Sequence, residues 1–188
     1  MAFLKNLPER ADAFDVFAAF PDLNRPLAEF CEFLFRGPSS LTPRERQTLF
    51  AYVSGLNACR YCYGGHAAAA IAYGLDQDVF DALFNDIETA PVDEKLKPLF
   101  RLVRKLTLDH TKMVAEDIDA AYDAGWDDEA IHAALSCCCL ANYMNRLVEA
   151  TGVTVRPELF EKRGQMAKEF GYWKPFEMKF GKDAGKLS

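Results

Sequence analysis

The chain is built from apolar stripes at helical spacing, separated by short polar or Gly- and Pro-bearing interruptions. Between Leu23 and Phe35, Leu27, Phe30, Cys31, Leu34 and Phe35 recur three and four apart, as on one face of a helix, and Gly37-Pro38 ends the run. Leu41-Thr42-Pro43-Arg44-Glu45-Arg46 reads as a helix start. Thr42 is a capping residue, Pro43 suits the first helical position, and Glu45 completes a capping box. That helix runs through Leu49, Phe50, Tyr52, Val53 and Leu56 to about Asn57. A tight turn at Asn57-Ala58 then hands over to a second helix that stops near Gly74.

Further helices are predicted over 76–87, with Val79, Phe80, Leu83 and Phe84 inward, and over 95–113, with Leu96, Leu99, Phe100, Leu102, Val103 and Leu106 on one side. Ala115 to Ala124 follows and Gly125 stops it. Asp127-Asp128-Glu129 places acid where a helix N-terminus carries partial positive charge. The helix after it, 130–150, is nearly all apolar from Ala133 to Ala141 and is expected to be central and buried. Arg156 to Phe170 predicts a last helix. Gly171 to Lys182 is an aromatic tail containing Tyr172, Trp173, Pro175, Phe176 and Phe180. Such a tail is too apolar to stay bare; it is expected to dock on its own domain or on a neighbouring subunit, with the subunit contact preferred. Residues 1–20, punctuated by Pro8, predict an irregular arm with a short helix over 11–20. No stretch shows sustained strand alternation; Val-Thr-Val at 153–155 is too short to carry a sheet.

The fold class is therefore all-α: a single-domain bundle of about eight helices. Its core spans about 24–153, with an N-terminal arm at 1–23 and a C-terminal helix and aromatic tail at 154–188. The 188 residues suffice for one domain with a sizeable core. Acidic residues outnumber basic ones, 28 to 22, and the net charge of -6 argues against nucleic acid as a partner. No apolar run is long enough to span a bilayer, so no membrane partner is expected. Lys5, Glu9, Arg10, Asp12 and Asp15 interrupt the first residues, which do not read as a signal peptide. The expected compartment is the cytoplasm. There, six cysteines point to metal binding or redox chemistry rather than a disulfide framework.

The chemistry concentrates in Cys59-Arg60-Tyr61-Cys62-Tyr63-Gly64-Gly65-His66. If a helix begins near Cys59, then Cys59, Cys62 and His66 lie on one face. The helix start also favours a thiolate over a thiol. Cysteines three apart on a helical turn have Cα atoms within the roughly 4.4–6.8 Å that a disulfide needs. A structural zinc site wants four ligands, so a second group such as Cys137-Cys138-Cys139 would have to complete it. Consecutive helical residues point about 100° apart, so those three cannot converge on one ion. They read instead as small apolar core residues, as does Cys31, with one of them near the dithiol left open. His110 and His132 read as surface or boundary residues. Asn142, Asn145 and Arg146, on an otherwise apolar helix, need hydrogen-bond partners or a subunit contact.

Two stretches together resemble the alkylhydroperoxidase D-like branch of the carboxymuconolactone decarboxylase superfamily. The first runs from Leu41-Thr42-Pro43-Arg44-Glu45-Arg46 through Asn57-Ala58-Cys59-Arg60-Tyr61-Cys62 to His66. The second is Ala124-Gly125-Trp126-Asp127-Asp128-Glu129-Ala130-Ile131 followed by Ala141-Asn142-Tyr143-Met144-Asn145-Arg146-Leu147, as in the peroxidase-related subgroup. The resemblance covers about Leu41 to Val153. It implies an all-helical homo-oligomer that reduces a hydroperoxide substrate through a cysteine pair, with no cofactor, metal or haem. Carried onto this chain, it makes Cys62 the peroxidatic cysteine, Cys59 the resolving one and His66 part of a proton relay. Regeneration would need a dithiol protein or lipoyl-type reductant.

One departure bears on that relay. The family usually places a glutamate twelve residues before the first cysteine, and here that residue is Gln47. Glu45 points about 200° away around the helix. Gln47 can hydrogen-bond but cannot ionise. The relay is therefore expected to be incomplete or rerouted, with Cys62 less activated or the substrate different. Two other readings stay open. One is a dithiol redox sensor or disulfide-exchange protein with little peroxide turnover. The other is a decarboxylase or other lyase on the same scaffold, against which the dithiol argues.

Overall fold

Every regular element in the computed structural model, which describes residues 1–181, is helical, and no strand occurs among those residues. The ten α-helices are α1 (Ala13–Ala19), α2 (Pro21–Arg36), α3 (Pro43–Leu56), α4 (Arg60–Ala72), α5 (Val79–Asn85), α6 (Lys97–Leu108), α7 (Ala115–Asp123), α8 (Asp128–Thr151), α9 (Phe160–Phe170) and α10 (Trp173–Phe180). The all-α expectation holds. Ten helices replace about eight mainly because the N-terminal arm and the aromatic tail each contain one.

The helix starts are fixed by their caps. Thr42 Oγ1 accepts the Glu45 N–H at 3.3 Å while Glu45 Oε2 accepts the Thr42 N–H at 2.6 Å, so the predicted capping box forms. A second box opens α1: Asp12 Oδ1 accepts the Asp15 N–H at 3.1 Å and Asp15 Oδ2 accepts the Asp12 N–H at 2.9 Å. Asp127 Oδ1 caps α8 by accepting the Ala130 N–H at 2.8 Å.

The core is centred on α3, whose residues from Arg46 to Ser54 are all buried. It packs against α4, α6 and α8. Tyr52 meets Phe84 and Phe100 with ring centroids 5.3 Å away in each case. α8 buries one face from Ala130 to Thr151 and exposes the other, and its cysteines diverge: Cys137 and Cys138 are enclosed, while Cys139 is exposed. Successive residues turn about 100°, so three in a row cannot share one buried face. Phe30 likewise departs from its expected inward place and is 46% exposed.

The chain ends close one side of the bundle. The arm is pinned to the end of α8 and the segment after it: the Phe3 N–H donates to the Thr151 carbonyl at 3.0 Å and the Thr154 N–H to the Ala11 carbonyl at 2.8 Å. The aromatic tail folds onto its own domain, the first of the two expected alternatives. Glu32 Oε2 accepts the backbone N–H groups of Tyr172 and Trp173 at 2.7 and 3.1 Å, satisfying donors that the start of α10 would leave unpaired. Phe176 is buried, and the Arg25 guanidinium lies 4.7 Å from the Trp173 ring centroid. Lys182 and the Phe180 side chain lie outside the described residues. Gly171 makes the close turn into α10 at φ +73, where a Cβ would fall 2.2 Å from Glu32 Oε2.

Between these ends, α9 crosses α4 at Gly164, where a Cβ would come within 2.5 Å of the Ala68 backbone. Gly164→Val should push α9 off α4 and destabilise the protein by about 1–3 kcal/mol, the ordinary cost of overpacking. A calorimetric scan reads this as a lowered melting temperature.

Candidate active site

The dithiol sits on a constrained turn. Asn57 closes α3 and Ala58 takes the left-handed conformation, φ 56, the only non-glycine positive φ among the described residues. That conformation costs an L-residue about 1–2 kcal/mol. Its surroundings hold it: the Cys59 N–H donates to the Ser54 carbonyl at 3.0 Å. The Asn57 side-chain amide donates to Asn145 Oδ1 at 2.8 Å and to Asn142 Oδ1 at 3.1 Å. Asn145 in turn donates to Ser54 Oγ at 3.0 Å, and Arg146 to Asn142 Oδ1 at 2.8 Å. The polar residues of α8 thus have as their partners the very turn that presents the cysteines.

Cys59 occupies the N-cap position of α4, with Cys62 and His66 on its first two turns. Both cysteines are free and buried. Their thiols are hydrogen-bonded to each other, and this is the main influence on both. The Cys62 thiol, helped by the Cys62 backbone N–H, holds the Cys59 pKa below the usual thiol range. Cys62 is pushed up, first by its thiol partner and then by burial. Two α8 side chains act the other way: Glu149, hydrogen-bonded to Cys59, raises that thiol, and Asn145 lowers Cys62. The charge of Glu149 raises Cys62 as well, so it is the Glu149 hydrogen bond to Cys59, together with Asn145 on Cys62, that favours moving the shared proton onto Cys59 and leaving the thiolate at Cys62. Glu149 was not singled out from the sequence, although it lies four residues after Asn145 and so on the same helical face.

His66 Nδ1 lies 2.7 Å from Gln47 Oε1. The Gln47 amide donates to Tyr172 Oη at 2.9 Å, and this orientation assigns the ring proton to Nδ1 and leaves Nε2 unprotonated. The imidazole stacks on Phe50 at 3.8 Å and lies 5.1 Å from Phe35 and 6.0 Å from Tyr172. Burial among these groups lowers its pKa to about 3, so the ring is neutral. Gln47 is 1% exposed and forms a neutral hydrogen-bonding link between His66 and Tyr172. Tyr172, like Glu149, was missed as a site residue: it lies 125 positions from Gln47. Tyr61, between the cysteines, accepts the Ala13 N–H at 3.1 Å and has the Arg163 guanidinium 5.2 Å from its ring centroid.

These groups meet a cavity of about 460 Å³. Its wall is largely apolar, with Phe14, Phe17, Phe35, Leu140, Met144 and Phe176 contributing, and Cys62 and His66 both line it. Cys59 does not. Gln47 stands behind His66, so the structure brings the four predicted residues together in depth rather than on one surface. Cys31 also lines the cavity as a buried thiol whose pKa burial raises to about 12, while Cys137 and Cys138 do not reach it. Among the described residues no three His, Cys, Asp or Glu side chains converge as metal ligands.

This is the alkylhydroperoxidase D-like helical fold, with a buried cysteine pair of which Cys62 alone faces an apolar chamber. Residues 21–105, which contain Gln47, Cys59, Cys62 and His66, match the model of the carboxymuconolactone decarboxylase family. Among solved structures, the chain is similar to an uncharacterized peroxidase-related protein from Silicibacter sp. TM1040. The two share 22% identity at a TM-score of 0.72, with 80% of this chain and 78% of that one covered. It is equally similar to an uncharacterized peroxidase-related protein with an alkylhydroperoxidase AhpD core from Ralstonia eutropha JMP134. There too the identity is 22% and the TM-score 0.72, over 81% of this chain and 80% of that one. No curated protein matches by sequence. Among the described residues no helix is long and apolar enough to cross a membrane.

Proposed function

We propose that the chain is a thiol-dependent hydroperoxide reductase in which Cys62 attacks, Cys59 resolves and His66 positions the peroxide. The observation that carries this reading is that Cys62 and His66 share the wall of an apolar cavity from which Cys59 is set back. In the first step the Cys62 proton passes to Cys59 across their hydrogen bond, and Asn145 and Glu149 favour that transfer. The Cys62 thiolate attacks the outer oxygen of ROOH and the O–O bond breaks. The departing alkoxide takes up a proton from solvent, replacing the one that Cys59 gave up on becoming the thiolate, and leaves as ROH, and Cys62 becomes a sulfenic acid. The Cys59 thiol then condenses with it, releasing water and closing a disulfide. The sum is ROOH plus two thiols giving ROH, water and one disulfide. His66, neutral and with Nε2 unprotonated, offers that nitrogen to the hydroperoxide O–H. A dithiol protein or lipoyl group restores both thiols.

A second reading, a redox sensor or disulfide-exchange module, is favoured by one observation: Gln47 leaves His66 neutral and gives the relay no ionisable end. One reaction separates the two. The reduced protein is mixed with one equivalent of an organic hydroperoxide and followed by stopped flow and peptide mass spectrometry. A Cys59–Cys62 disulfide forming faster than a free thiol reacts is expected; oxidation no faster than that sinks the peroxidase and leaves exchange in front.

Glu149→Gln removes the charge that raises Cys59. It should lower the Cys59 pKa further, retain the thiolate there, and slow the attack by Cys62 several-fold. A thiol-alkylation pH profile against the hydroperoxide rate reads both effects.

The active unit is a homo-oligomer in this reading. Leu23 and Phe33 on α2 are 72% and 70% exposed, an apolar face of the kind a second copy covers. Light scattering should give a solution mass above the 21.1 kDa of one chain.

A further inference from the structure

The cavity is apolar along its length but not at every point of its wall. Its charged lining residues are Arg156, Lys162 and Arg163 against a single acid, Asp12. Asp12 Oδ2 accepts from both guanidiniums, Arg156 Nη2 at 2.8 Å and Arg163 Nη2 at 2.9 Å. Its other oxygen is engaged by the Asp15 N–H at the start of α1. One carboxylate oxygen therefore serves two arginines, and a net positive charge remains. The hydrogen-bond ledger points the same way. Among the described residues, buried side-chain polar atoms without a partner are Arg46 Nε, Thr154 Oγ1, Arg156 Nε and Arg163 Nη1. Three of those four gather around Ala11 and Asp12, Thr154 being held there by its backbone bond to Ala11. Buried donors are normally paired, and unpaired ones are costly. Arginine forks match a carboxylate, and two of them stand unsaturated beside an apolar chamber that also contains Cys62.

We infer that this cavity is built for an apolar carboxylic acid, its chain in the Phe-lined chamber and its carboxylate held by Arg156 and Arg163 with Lys162 adding charge. The volume of about 460 Å³ lies in the range of ordinary small-ligand sites. In catalysis the substrate is then an acid-bearing hydroperoxide such as a fatty-acid hydroperoxide; that half of the inference rests on the hydroperoxide-reductase reading, while the binding half does not. All four charged residues lie outside the family segment 21–105, on the arm and the C-terminal wall. The shared scaffold thus supplies the dithiol, and this chain's own ends supply the selection for an anion.

Calorimetry of the reduced full chain with decanoate, methyl decanoate and decanol tests it. Decanoate is expected to bind at least tenfold more tightly than its ester or the alcohol. Arg156→Gln with Arg163→Gln should erase that preference while leaving binding of the neutral ligands. If loss of the Asp12 contacts unfolds that variant, Lys162→Gln, which breaks no ion pair among the described residues, should still cut the preference several-fold. Equal binding of acid and ester by the unaltered protein, or a preference that survives these substitutions, overturns the inference. A second comparison, of kcat/KM for a fatty-acid hydroperoxide and its methyl ester, should favour the acid. If neither oxidises the protein but decanoate still binds selectively, the reductase reading has failed and the binding site stands.

Discussion

Cys62→Ser should reduce hydroperoxide consumption to the level of buffer alone, whereas Cys59→Ser should retain one equivalent of reaction and lose turnover. The difference follows from placement. Cys62 lines the cavity and Cys59 does not, so only Cys62 can meet a bound peroxide without rearrangement. Once Cys59 is gone, the sulfenic acid on Cys62 has no thiol to condense with and should persist long enough for a carbon nucleophile to trap it, seen as a mass adduct on the peptide carrying Cys62. The single turnover should also be slower than in the unaltered protein. In the proposed mechanism Cys59 takes the Cys62 proton, and a serine hydroxyl would accept that proton far less readily. The competing assignment is concrete, because the lower pKa of the pair belongs to Cys59. If Cys62→Ser still reacts once and the adduct appears at Cys59, the thiolate rather than the cavity decides, and the roles are reversed.

What was legible in the sequence was local. Thr42, Pro43 and Glu45 announce a helix start through contacts three residues long, and the structure contains that start. The Asn57-Ala58 turn and the spacing of Cys59, Cys62 and His66 are equally short-range. What escaped was whatever required two distant segments to meet. Tyr172 reaches Gln47 across 125 positions, and Asp12 joins Arg156 and Arg163 across 144 and 151. No periodicity marks either pairing, because each depends on how the chain ends fold back over a finished bundle. The aromatic tail shows the same limit. Its apolarity demanded a cover, but nothing local in it chose between its own α2 and a neighbour, and the choice rests on Glu32, 140 residues before Tyr172. Phe30 and Cys139 failed for a geometric reason: a buried helix face is narrower than the run of apolar letters that suggests it.

Between pH 7 and pH 5 the protein should lose up to about 2 kcal/mol of stability through His66 alone. The unfolded chain protonates this residue near the ordinary value of 6.5, whereas burial holds the folded one at about 3. Between those values the unfolded state binds more protons, so acid favours unfolding; the contribution is whole above about pH 6.5 and disappears as pH falls toward 3. Among the described residues the ring's hydrogen-bond and ring partners are all uncharged: Gln47, Phe35, Phe50 and Tyr172. Urea midpoints measured at intervals from pH 7 to pH 5 should fall along that line, and His66→Asn should flatten it. Gln47→Glu carries the argument further. A carboxylate at Gln47 Oε1's position would face Nδ1 at hydrogen-bond distance and stabilise the imidazolium, raising the His66 pKa and shrinking the acid loss. The same substitution gives the relay an ionisable end, so the rate of Cys62 oxidation should rise as the pH slope shrinks. A steeper acid loss in Gln47→Glu would mean that the new carboxyl is itself held neutral there, and that Gln47 owes its place to the cost of burying a charge.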